Sequence, residues 1–201
     1  MTRTRPRTRI VAAAALVALL AVPVVSPAQS AEDRNRAADI RAQLLRLPYY
    51  GVFDFLSFTY ERGTVTLMGF AYAPRLKEDA EAAAKRARGV DTVVNNIQVA
   101  PASGNDDRIR RQAFANIYTD DFLSRYSPGG ARQAYVDALE FGRYPGIQPL
   151  GNYPIHIVVS GGRILLAGQV DNQSDKQIAG VRAREVDGVF GVENELVVPT
   201  R

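Results

Sequence analysis

The chemistry open to this 201-residue chain is narrow, because few of its residues are suited to catalysis or metal binding. It has no cysteine, which excludes disulfides, thiolate nucleophiles, thiolate metal sites and a lipid-modified cysteine. His156 is the single histidine, so neither a histidine-rich metal site nor a two-histidine proton shuttle is available. It alternates with Ile155 and Ile157 in a strand-like run and reads as structural. No G-x-S-x-G elbow presents a serine to a base. Asp106-Asp107 and Asp120-Asp121 have the makings of a cation site or a sugar-flanking pair. Each precedes a helical run, however, where a carboxylate favours the positive end of the helix dipole. The sequence therefore predicts no catalytic, metal-binding or cofactor-binding residues.

Three further motifs resolve into structure. Gly188-Val189-Phe190-Gly191 has the spacing of an RNA-clamping G-x-x-G loop, but the matching Gly89-Val90-Asp91-Thr92 lacks the second glycine, so both read as turns. Asn172-Gln173-Ser174 fits a glycosylation acceptor and coincides with a predicted helix start, where capping explains it. Arg75, Lys77, Lys85, Arg86 and Arg88 interleave with Glu78, Asp79 and Glu81, the pattern of a solvated, ion-paired helix face. What remains is aromatic: Phe122, Tyr126, Tyr135, Phe141, Tyr144 and Tyr153 cluster in sequence near Arg125, Arg132 and Arg143. Rings with flanking guanidiniums suit a lipid headgroup region or a protein hot spot. The same residues also suit a small core of their own. The candidate contact residues are Phe122, Arg125, Tyr126, Arg132, Tyr135, Arg143 and Tyr144.

The elements that position these residues follow from a duplication. Residues Gly63 to Val99 recur as Gly162 to Val198 without a gap, pairing Gly63 with Gly162, Gly69 with Gly168, Gly89 with Gly188, Lys77 with Lys176 and Asn95 with Asn194. The six glycines are read as structural. In the first unit Ala37, Ile40, Leu44 and Leu47 recur at helical spacing up to Pro48, after a short charged leader, Glu32 to Arg36. Phe53 to Tyr60 and Thr64 to Ala71 read as a hairpin closed by a three-residue turn, Glu61-Arg62-Gly63. A helix follows from Pro74 with Leu76, Ala80, Ala84 and Ala87 on one face, ended by Gly89, and Val90 to Val99 reads as a third strand. The predicted unit is α-β-β-α-β, an α+β module with a mixed three-stranded sheet and both helices on one face. Asn95 and Asn194 fall in the apolar phase of their strands and are expected to bond nearby backbone.

The first unit spans residues 36–100, a linker 101–105, and the second unit 106–199. Ile109, Ala113, Phe114, Ile117 and Tyr118 give the second unit's first helix, and Ser174 to Gln177 fits a capping box for its second. The separation from Ile40 to Gly63 is 23 residues and that from Ile109 to Gly162 is 53, so the second unit carries an insert at about 119–153. Within it, Ala131 to Phe141 reads as a helix with Ala134, Tyr135, Ala138 and Phe141 on one side and Gly142 as its cap.

Residues 1–30 have the basic, apolar and small-polar succession of a cleaved secretory signal peptide. Four of the 25 basic residues, Arg3, Arg5, Arg7 and Arg9, lie there, leaving 21 against 21 acidic residues. Near-zero charge removes the compositional support for nucleic-acid binding.

GTVTLMG with the alanine helix and RGVDTVVNNIQV in the first unit, and IHIVVSGGRILLAGQV with VDGVFGVENELVV in the second, resemble BON domains. The resemblance implies a non-enzymatic, tandem-BON, OsmY-like protein of the periplasm or cell envelope. Such a protein would bind membrane phospholipid surfaces, support envelope integrity or osmotic-stress tolerance at the outer membrane, or act as a chaperone or interaction module on envelope proteins through the aromatic insert. No nucleic acid or small-molecule substrate is expected as a partner. Two linked units would gain avidity through effective concentration.

Overall fold

A computed structural model describes residues 31–143 and 148–200. The expected signal peptide lies outside them. In the first unit α1 (Ala31–Leu45) leads to the hairpin β1 (Phe55–Glu61) and β2 (Thr64–Ala71), then α2 (Pro74–Lys85), then β3 (Thr92–Asn95) and β4 (Gln98–Val99). β1 pairs antiparallel with β2, and β3 and β4 both pair parallel with β2, so β2 is central and the sheet has three strand positions. The second unit repeats this with α3 (Gly104–Tyr118), β5 (Ile155–Ser160), β6 (Arg163–Gln169), α5 (Gln173–Arg184) and β7 (Gly191–Val197), in sheet order β5-β6-β7. Its insert adds a short 3-10 turn, Ser124–Tyr126, and α4 (Gly130–Arg143). The fold is α+β, with two α-β-β-α-β units. Among the described residues no helix is long and apolar enough to cross a membrane.

Burial explains the elements. α1 and α2 set Ile40, Leu44, Leu76, Ala80 and Ala84 against Val65, Leu67, Ala71 and Ile97 on one sheet face. α3 and α5 set Ile109, Ala113, Phe114, Ile117, Ala179 and Ala183 against Ile155, Ile157, Val159, Ile164, Leu166 and Leu196. Alanines bring each second helix close to its sheet, and an asparagine then ties the two together. Asn95 Nδ2 donates to the Lys77 carbonyl at 2.9 Å, and its Oδ1 accepts from Ile97 N. Asn194 repeats the clamp on Lys176 at 2.7 Å and on Leu196 N. An amide at this depth needs such partners.

All six repeated glycines have positive φ. At Gly69 and Gly168 the reason is also steric: a Cβ would overlap the carbonyl oxygen of Phe55 and Pro154 respectively, where the antiparallel neighbour crosses. The hairpin turns have two residues rather than three, since Glu61 pairs with Thr64 and Ser160 with Arg163. Both turn residues have positive φ, as a type I′ turn requires. The second unit meets this with Gly161-Gly162, whereas the first places Arg62 at φ 47°, the one described residue other than glycine with positive φ.

Other boundaries also shift. The charged leader is helical from Ala31, and the linker shortens because α3 begins at Gly104, capped by Ser103 Oγ on Asp106 N at 3.2 Å. α2 ends at Lys85, and Gly89 supplies the left-handed residue of the turn that follows. The third strand of unit one breaks at Asn96-Ile97, while its counterpart β7 is continuous. α5 is capped by Asn172, whose Oδ1 accepts from Asp175 N, and not by Ser174. Gly142 lies inside α4 instead of ending it.

The two units are not strung on a flexible tether but share a core. Val52 and Phe53, which precede β1, are buried among the second unit's core residues. Phe55 and Phe70, on the face of the first sheet turned away from its helices, meet Val158, Leu165 and Ala167 on the corresponding face of the second. Residues 50–53 are strapped to the end of the insert: Gly51 bridges Leu150, Val52 N donates to the Pro149 carbonyl at 3.0 Å, and Ile157 N donates to the Val52 carbonyl at 2.8 Å. Buried Gln148 completes the strap, donating to Asp54 Oδ2 at 2.6 Å and to the Tyr49 carbonyl, and accepting from Phe53 N at 3.0 Å. Next to it Arg110 stacks over Tyr72 at 4.8 Å, and the Tyr72 hydroxyl donates to Asp107 at 3.2 Å.

Two predictions follow from this packing. Arg62→Asn creates the Asn-Gly pair that type I′ turns prefer and relieves a left-handed arginine, so it should stabilise the fold by about 0.5 to 1 kcal/mol, read as a shift of the urea midpoint at unchanged slope; a destabilised variant would contradict the turn assignment. The second concerns the junction, where burial holds Asp54 up to about 6 and lowers His156 to about 4, against the weaker pull of the Asp54 and Gly51 carbonyls. Neutral His156 is favoured in the fold, so its contribution is complete above its ordinary value near 6.5 and is lost as pH falls towards 4. Asp54 does the reverse: its contribution is complete below its ordinary value of 3.8 and is lost as pH rises through about 6. The opposing trends, each at most about 3 kcal/mol, leave the junction's net dependence shallow between pH 4 and 6.5. Relative to wild type, Asp54→Asn should lose stability as pH falls across that window, and His156→Phe should gain it. Urea titrations at several pH values check this, and three parallel profiles would refute it.

Candidate functional site

The residues suited to chemistry are consumed by the fold. His156 lies buried between the two sheets, its Nε2 3.2 Å from the Tyr50 hydroxyl and its ring 5.5 Å from Phe55. Asp106 does more than bias a helix dipole: buried at the start of α3, it accepts from Gly161 N at 2.9 Å and Gly162 N at 2.8 Å, pinning the hairpin turn to the helix. Asp107 accepts from Arg110 at 2.6 Å. Asp120 accepts from Phe122 N, from Leu123 N and from Arg182 Nε at 2.8 Å, while Asp121 is exposed. Among the described residues no group of three or more acidic or histidine side chains is placed to hold a metal ion. The charged face of α2 is ion-paired, Arg75 with Asp79 and Lys85 with Glu81.

The aromatic insert divides into two parts. Tyr126 and Tyr153 belong to the second unit's core. Tyr153 stands edge-on to Tyr118 at 5.1 Å, and the Tyr118 hydroxyl donates to the Ile155 carbonyl at 2.6 Å. The Tyr126 hydroxyl donates to Asp175 Oδ2 at 2.6 Å and accepts from Asp171 N at 2.8 Å; burial, with the Asp175 carboxylate nearby, pushes it up to about 12. Arg125 lies over the Tyr126 ring and pairs with Asp175, so it fastens the 3-10 turn to the start of α5. Tyr126 is therefore no surface contact, and the cationic end of Arg125 is already engaged.

Phe122 and Tyr135, by contrast, face solvent, 62% and 60% exposed. Phe122 forms one wall of a shallow groove of 390 Å³ with Ile178 and Val181, rimmed by Asp120 and Arg182. On α4, Ala134 and Ala138 turn towards the second core, which corrects the expected grouping of Tyr135 with them. The opposite face carries Arg132, Tyr135, Val136 and Leu139, all exposed and spaced i, i+3, i+4, i+7, hence a single stripe. Val136 and Leu139 are absent from the sequence candidates, yet helical phase from Arg132 and Tyr135 points straight at them. The side chain of Arg143 and all of Tyr144 lie outside the described residues.

With the geometry set out, comparison with known proteins gives the following. The BON domain matches the sequence over residues 32–101 and again over 144–200, leaving α3 and most of the insert between the two matches. No curated protein matches the chain. Among solved structures, CdsD, a structural protein of the type III secretion system of Chlamydia trachomatis, is similar at 13% identity over 82% of this chain and 92% of that one, with a TM-score of 0.26. The C-terminal domain of CdsD is similar at 14% identity over 81% and 96%, also with a TM-score of 0.26. Nothing about this chain's partners follows from either. The two matched segments cover more than half of the sequence and fall on the two repeated units, so the chain belongs to the BON domain family.

Proposed function

We propose that this protein is an exported, non-enzymatic component of the cell envelope that associates reversibly with phospholipid surfaces. BON-domain proteins are a membrane- or phospholipid-associated envelope family and are generally not enzymes. The observation that carries the reading is the stripe Arg132, Tyr135, Val136 and Leu139, an exposed apolar face with a cation at one end, on a helix that the first unit lacks. An amphipathic helix of this kind beds its apolar face at the boundary of headgroup and acyl chain while arginine stays with the phosphates. With residues 1–30 removed by export, the remaining 21 basic and 21 acidic residues balance, so attraction must come from local patches and binding should be weak and only modestly dependent on salt.

Deleting Ser127 to Gly151 would remove Gln148 and Leu150 and open the junction, so point substitutions are the right tool. Vesicle cosedimentation with phosphatidylglycerol-containing and neutral vesicles should show wild-type binding to both, stronger to the anionic ones. Tyr135→Ser with Leu139→Ser should weaken both by ten- to a hundredfold, the effect of withdrawing about 1.5 to 3 kcal/mol of apolar burial. Arg132→Glu should weaken only the anionic arm. A wild-type protein that cosediments with neither vesicle at low salt refutes the function.

A further inference from the structure

We propose a second phospholipid contact at the junction of the two units, formed by Tyr49 and Leu150 with Arg75 over the Tyr49 ring; it rests on the membrane reading above. The strap supplies the argument. Of residues 49–53 and 148–150, all are buried except Tyr49 and Leu150, which remain 46% and 53% exposed. Gln148 donates to the Tyr49 carbonyl and Gly151 N donates to the Tyr50 carbonyl at 2.9 Å, while Gly51, which bears no side chain, bridges Leu150. An exposed tyrosine of the first unit and an exposed leucine from the insert of the second are thus held on one piece of backbone scaffolding, which exists only while the units are docked.

Charge identifies the occupant. Residues 40–53 and 148–153 contain two charged side chains, Arg41 and Arg46, and no acid. Arg75, from the first turn of α2, lies over the exposed Tyr49 ring at 5.2 Å. Arg75 also pairs with Asp79 on α2, and the one carboxylate of the strap, Asp54, is fully buried. A tyrosine with a guanidinium on its face, on a strap that exposes a leucine and no carboxylate, suits the region where phosphates meet acyl chains.

The absence of cysteine permits a direct test with single reporters. Leu150→Cys, Leu139→Cys on the α4 stripe and Glu61→Cys on the exposed hairpin end are each labelled with an environment-sensitive fluorophore and mixed with vesicles of phosphatidylcholine and phosphatidylglycerol, with and without an acyl-chain quencher. The junction contact predicts a blue shift and quenching at position 150 and none at 61. In unlabelled protein Arg75→Glu should lower affinity for these vesicles about fivefold or more. A shift at 139 with none at 150 overturns the junction contact and leaves the α4 reading intact. A shift at 150 alone supports the junction and removes α4 from the interface. No shift at either position, with no cosedimentation, overturns both. A shift at 150 that needs no vesicles and grows with protein concentration means that a second copy covers the patch, and the proposal fails.

Discussion

The Asp54 carboxylate holds this architecture together. It accepts from Gly51 N at 2.9 Å, from Tyr72 N at 2.7 Å and from the Gln148 side chain at 2.6 Å, and it is fully buried. These three donors belong to the loop before β1, the end of β2 and the returning end of the insert. One side chain therefore closes the first hairpin's base and fastens it to the second unit. Burying a carboxylate without such donors is strongly unfavourable, so the group and its partners stand or fall together. A BON unit of about 65 residues is a marginal domain on its own. Val52 and Phe53 give the first unit's apolar surface to the second unit's core, and that loan depends on the turn Asp54 sets.

How much of this was legible in the sequence depends on the range of the interaction. Glycine positions, alanine stripes and the Asn95 and Asn194 clamps repeat at a constant spacing and act within one unit, so periodicity and duplication expose them. The junction does neither. Gln148 reaches Asp54 and Phe53 across more than 90 residues and has no counterpart in the first unit, so no local pattern marks it. Asp106 is a similar case: its helix-start position was evident, but the hairpin turn that it pins lies 55 residues on. The insert's aromatics were visible as a group, and their division was not. Tyr126 is inward because Asp171 and Asp175 satisfy its hydroxyl, and Tyr135 is outward because Ala134 is the residue small enough to face the core there.

Two features of local structure are hidden in the sequence for physical reasons of their own. Arg62 hid a type I′ turn because arginine seldom takes positive φ, whereas Gly161-Gly162 states it openly. Asn172 and Ser174 are both good capping residues, and Asn172 prevails because its side chain meets Asp175 N in register with the first turn of α5. At that cap two residue types satisfied the same rule, and only the path of the backbone decided between them.

Comparing equivalent positions of the two units separates what the fold needs from what is free to specialise. Over Gly63 sits the Asp91 side chain, and over Gly162 sits Phe190, the repeat's equivalent residue, largely exposed. Near the end of the second helix, Asp39 in α1 accepts from Arg88 N, while Arg108 in α3 donates to the Asp187 carbonyl, opposite chemistry at the same loop. The backbone contacts are kept and the side chains that meet solvent are not. A duplication under pressure for two equal binding surfaces would keep its exposed residues alike. Here the buried glycines, alanines and asparagines are kept, while the added helix α4 and the strap, both products of the insert, carry apolar groups into solvent. Contact with a surface is therefore more naturally assigned to the parts that break the repeat than to the repeat itself.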